Sequence, residues 1–100
     1  MKKKYSNIPL SQIEKQKQYF YGAIIDLLFR QEAGYPLLNE RIQTLINQIE
    51  GSNKIFGYQP QVLSMVACLE HAREHPDQFR KDILDAANLV DTLKGGDEDV

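Results

Sequence analysis

A chain of 100 residues, 42% apolar and 26% charged, with one cysteine and a net charge of −2, has ordinary globular usage. Those values exclude wholesale disorder, an internal disulfide framework and a strongly basic nucleic-acid-binding domain. The charge is uneven: Lys2, Lys3, Lys4, Lys15 and Lys17 against Glu14 set residues 1–17 at +4, and the rest, ending in Asp97, Glu98 and Asp99, at −6. The lysine-led start runs into SQIEKQKQ instead of an apolar stretch, so no export signal is expected. The run Ala23–Phe29, with Asp26 inside it, is far short of the roughly 20 residues a membrane span needs. Cys68 alone suits a reducing compartment, and the expectation is one cytoplasmic domain over residues 1–100, ordered from about 8 to 95.

Gly and Pro divide the chain into four helical segments. The first opens on Ser11-Gln-Ile-Glu14, a capping box, and is predicted from about Ser11 to Gln31. Ile13, Phe20, Ile24, Leu27 and Leu28 recur at helical spacing, while Tyr21, Ile25 and Phe29 add a second apolar strip. Two strips predict burial on more than one side, with the other helices packed around this one. Asp26 lies four residues before Arg30, the spacing of an intrahelical ion pair.

After Gly34-Tyr35-Pro36, a second helix is predicted from about Leu37 to Glu50. Its stripe is Leu38, Ile42, Leu45, Ile46 and Ile49, and Gly51 is read as a left-handed stop. The connection SNKIFGYQPQ, Ser52 to Gln61, carries Ile55, Phe56 and Tyr58 where a polar linker is the norm. Pro60 begins a third helix that reaches His75, where Pro76 opposes continuation. Asp77 is read as the cap of a fourth helix to about Lys94, through Phe79, Ile83, Ala86, Ala87, Val90 and Leu93. No segment has the alternation of a strand, so the fold class is all-α: a compact antiparallel bundle of about four helices, with a short flexible N-terminus and an acidic C-terminal tail.

The sharpest chemical motif is HAREH, His71 to His75, the H-x-x-E-H spacing of inverted zinc peptidases. Histidines at i and i+4 share a helical face and Glu74 stands where a general base would, but too little chain follows for a further ligand and a peptide cleft. Cys68, three residues before His71, leans toward an apolar strip as an inert buried thiol does. No metal site and no cofactor are assigned on this basis. The carboxylate pairs Asp82/Asp85 and Glu70/Glu74 are expected on solvated faces, where acidity stays ordinary. Ser6, Ser11, Ser52 and Ser64 lie in no nucleophile motif and no glycine-rich phosphate loop occurs, so no enzyme is expected.

Nucleic-acid binding would rest on the Lys2 to Lys17 end alone, because Arg73 is set against Glu70 and Glu74, and Arg80, Lys81 and Lys94 against Asp82, Asp85 and Asp91. It is kept as the alternative. The leading expectation is a non-enzymatic protein that binds a protein partner as an inhibitor, adaptor or regulator, since aromatic side chains dominate binding hot spots. The contact residues assigned to it are Tyr58, Phe56, Ile55 and Tyr35, with Tyr19 and Tyr21 as further aromatic candidates. Ile55 and Phe56 are also expected to close one end of the core, with Gly57 allowing a sharp turn, which singles out Tyr58 as the recognition residue. Self-association through one helix face would bury the same residues.

Size, the lysine-led start, four predicted helices and a terminal tail resemble the bacteriocin immunity proteins of Gram-positive bacteria, small cytoplasmic four-helix bundles. The resemblance covers architecture along the chain and carries no diagnostic motif. It implies a protein that binds and blocks a protein complex.

Overall fold

The computed structural model describes residues 10–57 and 59–94, apart from the side chains of residues 10, 11, 53 and 54. The assignments made to Tyr58, to Lys2, Lys3 and Lys4, and to Asp97, Glu98 and Asp99 fall outside the described residues. All regular structure among the described residues is helical: α1 (Leu10–Glu32), α2 (Leu38–Glu50), the single turn α3 (Asn53–Phe56), α4 (Pro60–Glu74) and α5 (Phe79–Val90), with a 3-10 turn at Pro76–Gln78.

The four long helices stand at the corners of a bundle in which α1 packs on α2 and α5, and α4 on α2 and α5. Polar cross-links fix the directions. Tyr19 Oη donates to Gln48 Oε1 at 3.0 Å between α1 and α2, and Arg73 of α4 donates to Gln43 of α2. Lys17 Nζ donates to the Leu93 carbonyl at 3.0 Å, while Arg80 and Glu32 pair at 3.7 Å at the other end of the same seam. Every neighbouring pair is therefore antiparallel, as short connections favour.

Each helix contributes one stripe to the core: Ile13, Phe20, Ile24 and Leu27 from α1; Ile42, Leu45, Ile46 and Ile49 from α2; Val62, Met65, Val66, Leu69 and Ala72 from α4; Phe79, Ile83, Ala86, Ala87 and Val90 from α5. A fully buried side chain of this size stabilises by about 1.5–3 kcal/mol relative to exposure, so these stripes dominate the favourable side of folding. The first helix is not central, as its two strips predict. Only one strip is buried, because two neighbours cover a single sector of α1 and leave Tyr21 and Phe29 outside. Asp26 and Arg30 do form their ion pair on its flank.

The helix ends differ from the sequence reading in four places, each for a local reason. Ser11 lies inside α1, which already includes Leu10, so it does not mark the boundary. Gly51 is right-handed, with φ −77°: Ser52 follows it and returns both its amide and its hydroxyl to the Ile49 carbonyl, so the chain keeps winding into α3. The left-handed stop is at Gly34, with φ 73°, where Tyr35 N bonds Arg30 O at 2.9 Å and Gly34 N bonds Gln31 O at 3.1 Å, the paired bonds of a Schellman end. Asp77 does not cap α5; it sits in the 3-10 turn after Pro76, and α5 starts at Phe79.

Past Val90, where the last helix ends, other donors satisfy carbonyls in and after its last turn. Thr92 Oγ1 donates to Leu89 O at 2.7 Å, Lys17 Nζ takes Leu93 O, and Gln59 Nε2 reaches Lys94 O at 2.8 Å. Leu93 stays buried although it lies past the helix.

Candidate functional site

Among the described residues assigned from sequence to partner binding, Phe56, Ile55 and Tyr35 do not form one surface. Phe56 is 1% exposed, its ring tilted against Phe20 at 6.2 Å between centroids, so it belongs to the core and offers no area to a partner. Its place is the end of the core that it is expected to close. Ile55 is half-buried against the same core, and Gly57 turns the chain with φ 69°. Tyr35 is half-buried beneath the Arg30 guanidinium, 4.8 Å from the ring centre, in the turn between α1 and α2. The 13 residues of α2 separate Tyr35 from Ile55, a span of about 20 Å at 1.5 Å per residue.

The apolar surface lies elsewhere. Tyr21, Ile25 and Phe29 follow one another at i, i+4 and i+8 along α1, with Tyr21 43% and Phe29 65% exposed and Ile25 between them half-buried against the core. Leu84, also exposed, is one turn along α5 from Arg80 and so sits beside the C-terminal half of α1, where Arg80 meets Glu32. At the other end of this seam an open hollow is lined by Glu14, Lys17, Tyr21, Gly22, Val90 and Asp91. Gly22 leaves it deep: a Cβ added there would meet nothing within 4 Å. The result is an aromatic and aliphatic ridge beside a groove, with charged residues at its margins. Leu37 and Leu63 are exposed singly, and scattered apolar side chains of that kind are normal.

A second cluster lies where α4 turns into α5. Asp82 is 7% exposed and so corrects the expectation of a solvated carboxylate: packing of α4 on α5 closes over it. Its Oδ2 is 2.5 Å from His71 Nδ1. An ionised carboxylate only accepts, so Nδ1 is the donor in this bond, and in the neutral imidazole that tautomer leaves the lone pair on Nε2. The rings of His71 and His75 stack with centroids 4.2 Å apart. Asp85 stays more open and takes a 2.8 Å hydrogen bond from Lys81, which holds the Lys81 ammonium above its usual range.

Cys68 lies one turn before His71 and is half-buried. Burial pushes its thiol up, and the charges of Asp85 and Asp82 push it further, against a smaller opposing effect of Lys81. That is the reverse of what activates a nucleophilic thiolate. Among the described residues no group of three or more His, Cys, Asp or Glu is arranged to hold a metal ion, and no helix is long and apolar enough to cross a membrane.

Comparison with protein-family models, with curated proteins and with solved structures gives no match. Functional reasoning therefore rests on the residues themselves. The sequence places Phe29 in a second buried strip and Asp82 on a solvated face, and so assigns neither to a site. The signal for Phe29 was present as a second strip too wide for one buried face; that for Asp82 was its position beside Ile83 on the flank of the fourth stripe.

Proposed function

We propose that this is a non-enzymatic binding protein, an inhibitor, adaptor or regulator that acts by covering part of another protein. Its contact centres on Tyr21, Ile25 and Phe29 of α1 with Leu84 of α5. The observation that carries this reading is Phe29, a large ring 65% exposed in a domain whose core is complete without it. Small domains have few apolar groups to leave in water, and burial of a phenylalanine against a partner contributes about 1.5–3 kcal/mol. The charged margins, Glu14, Lys17 and Asp91 at one end and Glu32 with Arg80 at the other, resemble the rim that shields a binding hot spot.

An amphipathic helix or an aliphatic ridge is the partner shape that suits a groove between two helices. Blocking a protein complex, as the resemblance to bacteriocin immunity proteins implies, is one form of such binding. The nucleic-acid alternative rests on Lys2, Lys3 and Lys4, outside the described residues, with Lys15 and Lys17, of which Lys17 donates to the Leu93 carbonyl.

A photo-cross-linking side chain at position 29, with a second at Glu50 on exposed α2 as control, tests the reading in native extract. The expected result is a protein adduct at position 29 alone, suppressed by excess unlabelled chain and not by excess Phe29→Ser chain. Equal suppression by both chains, or the same adducts from both positions, would remove the proposed face. A cross-link to a second copy would assign the face to a homodimer.

A further inference from the structure

His71 and His75 are the two histidines of this chain, and they meet. They stand four residues apart, His71 in the last turn of α4 and His75 as its C-cap, with ring centres 4.2 Å apart and planes inclined by 28°. The ring of His75 must therefore turn out of this stack for its nitrogen to converge with that of His71 on one ion. His71 is held from behind. Its Nδ1 donates to the carboxylate of Asp82, whose side chain is 10% exposed, while its own side chain is 50% exposed, so the ring is anchored inside and open outside.

This is how proteins prepare an imidazole to bind a metal ion: one ring nitrogen gives its proton to a carboxylate, which fixes the tautomer and raises the basicity of the other nitrogen. The carbonyl ends of α4 add partial negative charge where a cation would sit. His75 follows the last helical residue and its backbone N returns to His71 O at 2.8 Å, which keeps the second ring in register with the first.

We propose that Nε2 of His71 and the ring of His75 form a two-histidine site for a divalent transition-metal ion, with Asp82 as the residue that positions His71. Water completes the coordination, since no third His, Cys, Asp or Glu joins them among the described residues. Two imidazoles favour Cu²⁺ over Ni²⁺ and Zn²⁺, and give no hold on Ca²⁺ or Mg²⁺, which require oxygen ligands. The ion would clamp the last turn of α4 at the corner that leads into α5. This site is independent of the proposed binding face on α1.

Titration of the full chain with Cu²⁺, Ni²⁺ and Zn²⁺, followed by calorimetry and by the two histidine ring resonances in proton spectra, tests it. One ion per chain is expected, with both ring signals affected and a rise in melting temperature that Ca²⁺ and Mg²⁺ do not give. His75→Ala lies outside the helix and keeps the fold, and it should lose saturation at metal concentrations that fill the wild type. Asp82→Asn should weaken binding roughly 10- to 100-fold with both histidines still present. Cys68→Ser should bind as wild type does. Unchanged affinity in His75→Ala, loss of binding in Cys68→Ser, or no stoichiometric binding by the wild type would each overturn the proposal.

Discussion

His71 and Asp82 lie eleven residues apart in sequence and 2.5 Å apart in space, a link between α4 and α5 across the tight corner at Pro76. The carboxylate is buried and its partner is half in water, so the two residues are unequal when removed. His71→Ala leaves a buried oxygen without its donor and should cost about 1–3 kcal/mol. Asp82→Asn keeps an acceptor without the charge and should cost less. In the His71→Ala background, Asp82→Ala should recover part of the loss. Denaturant titration of the wild type, His71→Ala, Asp82→Ala and the double variant measures this, and strict additivity would show that the pair is not coupled.

Phe56 and Phe29 should separate stability from binding. Phe56→Ala removes a ring that is 1% exposed and should cost about 3–5 kcal/mol, enough to threaten folding. Phe29→Ser should stay within about 0.5 kcal/mol of wild type in chemical unfolding, as surface changes do. A large stability loss in Phe29→Ser would mean that the ring has a structural role.

Gly34 holds φ at 73°, a conformation that L side chains enter at a cost of about 1–2 kcal/mol. An added Cβ there meets no neighbour within 4 Å, so strain and not collision sets the penalty for Gly34→Ala. Thermal unfolding should show a lower midpoint for Gly34→Ala with unchanged helix content. An unchanged midpoint would count against the left-handed end to α1.

The thiol of Cys68 gives an alkaline dependence. Burial, then Asp85 and Asp82, raise it above its ordinary value of 9.0, so the folded chain keeps this proton to higher pH than the unfolded chain does. The contribution is complete below the unfolded value and is lost as pH rises through the folded one. Stability should therefore fall above about pH 9, and less steeply in Cys68→Ala. Lys81, raised by its bond to Asp85, acts in the same direction and is untouched by that substitution. Alkylation of native Cys68 near pH 8 should be slower than that of the unfolded chain; equal rates would contradict its burial.

Helical periodicity made the four stripes legible, because a side chain repeating every three or four residues has one face to bury. Ile42, Leu45, Ile46 and Ile49 are buried as their spacing predicts, and Phe56 fills the end of the core that its odd place in a connection suggested. Periodicity is silent about how many neighbours a helix has. Tyr21, Ile25 and Phe29 carry the same pattern as a buried strip, and only the positions of α2 and α5 leave Tyr21 and Phe29 outside while Ile25 packs partly against the core. Asp82 was illegible for a related reason: its partner comes from another helix, beyond a corner whose angle local residue types do not set. Tyr35 and Ile55 looked alike as apolar punctuation, yet α2 holds them at opposite ends of the bundle.

The seam between α1 and α5 joins the most distant parts of the described chain, Lys17 and Leu93 lying 76 positions apart. Loop-closure entropy makes such contacts slow to form, so the α4 and α5 hairpin, with its short corner, should assemble first and α1 should dock against α5 late. Late contacts are also those that open most readily in the native state, and exchange of backbone amides should be faster along this seam than between α4 and α5. The ridge of Tyr21, Ile25 and Phe29 thus runs along a late-forming joint, and a partner seated there would slow the unfolding of the whole bundle.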